Sequence, residues 1–230
     1  MKRSIRFYPK LFKTLSSTTI ILFLTTFINA QQNQLLTRHS PDSQGSESIQ
    51  NIIIDADFTL DEALSESNIP STVRNTLELV TVYYYGFDGR LHQGQIIVNK
   101  KIAIDIVEIF KVIEEIKFPV ERVVPIVKYN WSDEKSMNDN NTSSFNYRFI
   151  SGSRILSMHA NGLAIDINPK QNPYVKNGTS IPAGSEYKLN NIGTITPDSK
   201  IVKLFKEKGW TWGGDWKSLK DYQHFQKKIE

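Results

Sequence analysis

Ser157-Met-His-Ala-Asn-Gly-Leu-Ala-Ile-Asp-Ile-Asn-Pro169 narrows the folds open to this chain more than any other segment. Asn161-Gly162 is a turn signal, because glycine reaches positive φ without steric cost. The residues after it alternate. Leu163, Ile165 and Ile167 fall on one face of a half-buried strand, and Ala164 and Asp166 on the other. A reversal at Gly162 brings His159 beside Asp166, seven positions later. A second short segment, Asp221-Tyr-Gln-His224-Phe, pairs a carboxylate with a histidine near the C-terminus.

These residue types have a shared chemistry. Two neutral imidazoles and one carboxylate leave a bound Zn²⁺ with net charge +1 and an open coordination position. Such an ion polarises a carbonyl and acidifies water. The set is His159, Asp166 and His224, with Asp221 close enough on a compact turn to move a proton. Each residue also has a bland alternative: Asp221 as a turn cap, the histidines as core or surface residues. Of the four histidines, His39 lies in a polar stretch and His92 beside the Asp88-Gly89 turn, where a surface or strand position is expected. Arg148 and Arg154 precede the segment; a guanidinium there can hold an oxyanion or a substrate carboxylate. The chain has no His-Glu-x-x-His, Gly-x-Ser-x-Gly, P-loop or Gly-x-Gly-x-x-Gly sequence.

The rest of the chain supports an α+β domain: a small antiparallel sheet flanked by helices, with the metal site in a cleft on the sheet. Leu77–Tyr85 and Gln95–Val98 read as strands joined through Gly86-Phe-Asp88-Gly89. Apolar positions 103, 106, 107, 109, 110 and 113 make a helical stripe over Ala103–Ile116, ended by Phe118-Pro119. Val123–Tyr129 reads as a buried strand, Ser132–Ser144 as a polar loop and Phe145–Phe149 as a short strand. Thr196 and Pro197 are expected to start a helix that Gly209 ends.

Composition bears on location. Residues 1–30 hold five of the 28 Lys+Arg (Lys2, Arg3, Arg6, Lys10, Lys13) and none of the 24 Asp+Glu. The five basic residues precede a largely apolar run, Thr19–Ile28, the pattern of an export signal that is either cleaved after Ala30 or kept as an N-terminal anchor. Without them the balance is 23 against 24, so the basicity of the whole chain is no sign of nucleic-acid binding. Residues 31–51 are rich in Gln, Ser and Asn and read as a flexible linker before a domain at 52–230. The absence of cysteine removes thiol nucleophiles, thiolate ligands, lipoprotein attachment and disulfides, leaving an exported domain to rely on its core.

Ser157-x-His159-x-x-Gly162-x-Ala164-x-Asp166 with Asp221-x-x-His224 resembles the zinc D-alanyl-D-alanine carboxypeptidases and their L-alanyl-D-glutamate endopeptidase relatives, the LAS peptidases. Tyr85-Gly-Phe-Asp-Gly89, Ser136-Met137, Asn140-Asn-Thr-Ser143, Phe145-Asn-Tyr-Arg148, Asp166-Ile-Asn-Pro169, Asn172-Pro-Tyr174 and Trp212-Gly-Gly-Asp-Trp216 extend the resemblance, in order, to one exported bacterial branch. It spans about residues 75–227, with Tyr147 where many members have cysteine. The resemblance implies His159, Asp166 and His224 as zinc ligands and Asp221 as general base and acid. It further implies Arg148 near the scissile carbonyl and Ser157 as a substrate-side hydrogen-bonder. Arg154 receives no role; Trp212 and Trp216 either border the cleft or pack in the core. The implied activity is zinc-dependent hydrolysis of peptidoglycan stem peptides, as a D-alanyl-D-alanine carboxypeptidase first and an L-alanyl-D-glutamate-type endopeptidase as the alternative. A non-catalytic wall-binding module of the same fold is the competing class.

Overall fold

A computed structural model describes residues 52–229; the segments read as an export signal and a linker, with His39, lie outside the described residues. In chain order the strands are β1 (Ile53–Ile54), β2 (Leu77–Tyr85), β3 (Leu91–Asn99), β4 (Arg122–Val123), β5 (Asn141–Thr142) and β6 (Ala164–Asp166). They continue with β7 (Tyr174–Lys176), β8 (Thr179–Ile181), β9 (Thr211–Trp212), β10 (Lys220–Asp221) and β11 (His224–Gln226). The helices are α1 (Leu60–Ala63), α2 (Ser71–Arg74), α3 (Ala103–Glu115), α4 (Asp133–Asn138) and α5 (Lys200–Glu207). The expected α+β class is present, and among the described residues its strands form small sheets ordered β1-β3-β2, β10-β7-β8, β6-β11-β9 and β4-β5. Two pairings, β1 with β3 and β4 with β5, are parallel.

The β2–β3 hairpin is the frame. Its register runs from Leu77 opposite Asn99 to Tyr85 opposite Leu91, so β3 starts earlier than its apolar run suggests. Asp88 holds the turn by accepting from the Arg90 N–H at 3.0 Å. Val80, Val82 and Tyr84 alternate onto the face covered by Ile106, Phe110 and Ile113 of α3. On the opposite face Leu77 and Ile97 meet Ala63, Leu64 and Phe145. β3 therefore has core on both sides, which is why its second half is almost continuously apolar. Val107, placed in the helical stripe by spacing, is 50% exposed at the stripe's edge. α3 closes with the Lys117 N–H on the Glu114 carbonyl and the Phe118 N–H on the Ile113 carbonyl, Lys117 taking the left-handed position usually given to glycine.

Four local expectations are corrected. Val123–Tyr129 is not one strand: β4 stops at Val123, and Pro125 leads into a 3-10 turn at Ile126–Tyr129, since proline cannot donate to a ladder. Ser132–Ser144 is not a loop throughout. Ser132 caps α4 by accepting from the Lys135 N–H, acidic Asp133 and Glu134 occupy its first turn, and β5 follows. Phe145–Phe149 forms no strand; the Asn146 N–H goes to the His159 carbonyl, and Phe149 has a lone bridge to Leu156. α5 begins at Lys200, not Pro197, because Ser199 is the residue whose hydroxyl accepts from the Val202 N–H.

Two buried asparagines explain the Asp166-Ile-Asn-Pro169 and Asn172-Pro-Tyr174 motifs. Asn168 donates to the Pro119 and Gly193 carbonyls at 2.8 and 3.2 Å and accepts from the Glu121 N–H at 3.2 Å. Asn172 donates to the Ile167 and Gly193 carbonyls and accepts from the Ile195 N–H at 2.7 Å. Together they join the chain leaving β6 to the segments before β4 and before α5. Asn168→Ala leaves several buried main-chain groups unpaired, each costing about 1–3 kcal/mol. The expected loss of at least about 2 kcal/mol is measurable by urea unfolding.

Candidate metal centre

His159 stands in a 3-10 turn, Met158–Asn161. Ser157 starts that turn by accepting from the His159 N–H at 3.3 Å, and Gly162 ends it at φ +64°. A Cβ at Gly162 would lie 2.7 Å from the Asn99 main-chain nitrogen, so both conformation and space call for glycine. β6 follows at once. The alternation read from the sequence sends Leu163, Ile165 and Ile167 into the main core. Asp166 lies on the other face, which is covered as well: the residue is only 8% exposed. β11 runs antiparallel beside β6 with His224 directly opposite Asp166.

Three side chains converge there. His224 Nδ1 is 2.9 Å from Asp166 Oδ1, His159 Nε2 is 3.3 Å from Asp166 Oδ2, and the two ring nitrogens are 3.2 Å apart. All three residues are buried, and one ligand atom from each lies within 4.8 Å of the others. Zinc bonds to nitrogen and oxygen are ~2.0–2.2 Å, so neighbouring ligands of a tetrahedral ion sit ~3.3 Å apart. The observed separations fit that spacing without rearrangement of the strands.

The outer contacts fit as well. His159 Nδ1 donates to the Ser144 carbonyl at 2.5 Å, and His224 Nε2 donates to Gln226 Oε1 at 3.1 Å. A carbonyl oxygen can only accept, so each neutral ring presents a lone pair to the group, through Nε2 of His159 and Nδ1 of His224.

Electrostatics tie the cluster together. Burial disfavours a charge on Asp166, but the two imidazoles more than offset it and hold its carboxyl well below the usual range. Burial likewise opposes charge on His224, yet Asp166 and Asp221 carry its pKa up to about 9. A cation at the site therefore competes with a proton on this histidine. Burial, then the negative charge of Asp166, pushes Asp221 up to about 6.

Asp221 is placed by β10, where it pairs with Tyr174 of β7. The residue is half-buried, but its Oδ1 is shut off from solvent without a hydrogen-bond partner among the described residues. Gly213 packs against it so closely that a Cβ there would lie 2.4 Å from the Asp221 carbonyl oxygen. Asp221 and His224 thus come together by a strand–turn–strand path, not by the helical spacing that their separation also allows.

The other expected residues have more varied placements. Arg148 Nη2 pairs with Asp133 Oδ2 at 2.8 Å, and its Nε is buried without a partner among the described residues. Its carbonyl accepts from the Ser157 N–H at 3.1 Å, tying it to the start of the histidine turn. The hydroxyl contact of Ser157 is local, to His159. Arg154 is exposed in the 149–156 hairpin. Trp212 is a core residue, 1% exposed, with its indole N–H on the Tyr222 carbonyl. Trp216 borders the group, its ring centroid 5.4 Å from that of His224. His92 is not on the surface: it is buried in β3 between Asp55 and Asp88, at 2.9 and 3.1 Å, apart from the metal group. Asp133, Ser144 and Gln226 were not legible as site residues. Asp133 had a signal in the helix start at Ser132, and Gln226 in its two-residue spacing from His224.

Residues 151–227 match the family model of D-alanyl-D-alanine carboxypeptidase, a zinc peptidase family. The resemblance seen in the sequence is thereby shown for this segment, which contains His159, Asp166, Asp221 and His224. No solved structure matches the chain. His224→Ala or Asp166→Ala is expected to abolish stoichiometric zinc binding, read by chelator competition, whereas His92→Ala leaves it intact.

Proposed function

We propose that the domain at 52–230 is an exported zinc peptidase that hydrolyses peptidoglycan stem peptides, with D-alanyl-D-alanine carboxypeptidase as its activity. The observation that carries this reading is the buried His159–Asp166–His224 group with the solvent-shielded, unpaired Oδ1 of Asp221 beside it, inside the segment that matches the family. Residues 1–30 direct export, as signal or anchor, and 31–51 link them to the domain.

When bound, zinc supplies Lewis acidity, polarising a peptide carbonyl and making water nucleophilic near neutral pH. In this reading His159, Asp166 and His224 hold the ion. Asp221 takes the proton of the attacking water and returns it to the leaving amine; its raised pKa suits a group that must do both. Arg148 steadies the developing oxyanion or the substrate's terminal carboxylate, and Asp133 fixes one arm of its guanidinium. Ser157 orders the turn that carries His159 and lies on the substrate side. A wall-binding module has no need of a carboxylate oxygen left unpaired and shielded from solvent beside its metal ligands, and this favours the enzyme.

Digestion of purified muropeptides with zinc-loaded protein, followed by mass spectrometry, tests the proposal. Loss of one alanine is expected; a longer released fragment would assign the endopeptidase activity, and no cleavage would reject the peptidase reading. Asp221→Ala is expected to keep zinc while lowering kcat by about 10²–10⁴-fold. Equal metal loss in Asp221→Ala and His224→Ala would overturn this division of roles. Because Asp221 works as a base only when ionised, kcat/KM of the zinc-loaded protein should fall in acid, with its limb below the metal-free value of about 6, since a cation nearby stabilises the carboxylate.

A further inference from the structure

His224 has one ring nitrogen inside the metal group and one outside it. Nδ1 faces Asp166 and His159, while Nε2 lies 3.1 Å from Gln226 Oε1. We infer that Gln226 is a positioning residue for the metal centre, holding the His224 ring in the tautomer and orientation that present Nδ1 to the ion. The inference rests on the zinc-site reading above.

The backbone fixes the aim of this side chain. β11 is the central strand of its sheet, with Gln226 paired to Ala164 of β6 on one side and Thr211 of β9 on the other. The Gln226 carbonyl also accepts from Thr211 Oγ1 at 3.3 Å. Residues two apart on a strand share a face, so Gln226 and His224 project together. Phe225 between them projects oppositely and is fully buried, its ring stacked 3.9 Å from that of Phe205. Rotating the strand to release Gln226 would pull Phe225 from the core.

The second histidine is held differently. His159 depends on the main-chain carbonyl of Ser144, which no side-chain substitution removes. Gln226 supplies the equivalent acceptor from a side chain, so its loss is expected to weaken one ligand and leave the other in place. Outer partners of this kind typically contribute 10–100-fold in metal affinity.

The test compares zinc dissociation constants, by chelator competition, for wild type, Gln226→Leu, Gln226→Met and Gln226→Glu. Circular dichroism of each metal-free variant checks folding. Gln226→Leu and Gln226→Met are expected to bind about 10- to 100-fold more weakly. Gln226→Glu, whose carboxylate accepts the same proton, is expected to recover most of the affinity. In long-range ¹H–¹⁵N spectra, zinc-loaded wild type should show His224 protonated at Nε2. If Gln226→Leu does not fold, the comparison of Gln226→Met with Gln226→Glu decides. Wild-type affinity in folded Gln226→Leu or Gln226→Met, or His224 protonated at Nδ1, would overturn the inference while leaving the zinc site standing. Wild type that binds no zinc would overturn both.

Discussion

His224 and Asp166 face each other as directly opposed residues of antiparallel strands β11 and β6, and the chemistry proposed here depends on that register. Opposed side chains on one face of a sheet come within reach of a shared ligand. A slip of one residue would turn His224 to the other face and put Phe225 in its place. The register is held from outside the site. Phe225 is buried against Phe205 and Trp212, the Lys227 N–H donates to the Leu163 carbonyl, and the Ile167 N–H donates to the Gln223 carbonyl. A hydrophobic anchor on one face thus sets a polar geometry on the other.

The polar groups around the site are costly to bury unless paired, and several of them are paired to main chain. Asn168 and Asn172 tie together three segments distant in sequence. Asn141 joins β5 to the Val124 main chain, accepting at 2.9 Å and donating at 3.0 Å. Ser157 and Ser144 locate His159 from two directions, through its N–H and through its ring. Among the described residues the buried atoms without a partner include Oδ1 of Asp221 and Nε of Arg148, as well as Oγ of Ser144 and Oε1 of Gln223.

Much of the fold was legible where a local pattern carried its own physical cause. The Gly86–Gly89 turn, the strand at Leu77–Tyr85, the apolar stripe of α3 and the turn at Gly162 each follow from short-range sterics, propensity or periodicity. The misreadings came where local signals competed. Pro125 outweighed the apolar run Val123–Tyr129, and Ser132 with two acidic residues started a helix in what composition marked as loop. Ser199, not Thr196, proved to be the cap because its hydroxyl reaches the third residue of the helix. The parallel pairings of β1 with β3 and β4 with β5 had no local signal, since they join segments far apart in sequence.

The same division runs through the site. Local sequence sufficed for the turn and strand that bring His159 to Asp166, because seven residues with a glycine at the reversal leave the chain few other paths. It also sufficed to mark His224 and Asp221 as chemically matched to that pair. Tertiary structure alone decided that β11 lies beside β6 in the register that opposes His224 to Asp166. It alone set Trp216 rather than Trp212 at the border, gave Arg148 to Asp133, and turned Gln226 toward His224. These depend on which buried surfaces meet across long sequence separations, where packing of Phe225 and Trp212 outweighs any local preference.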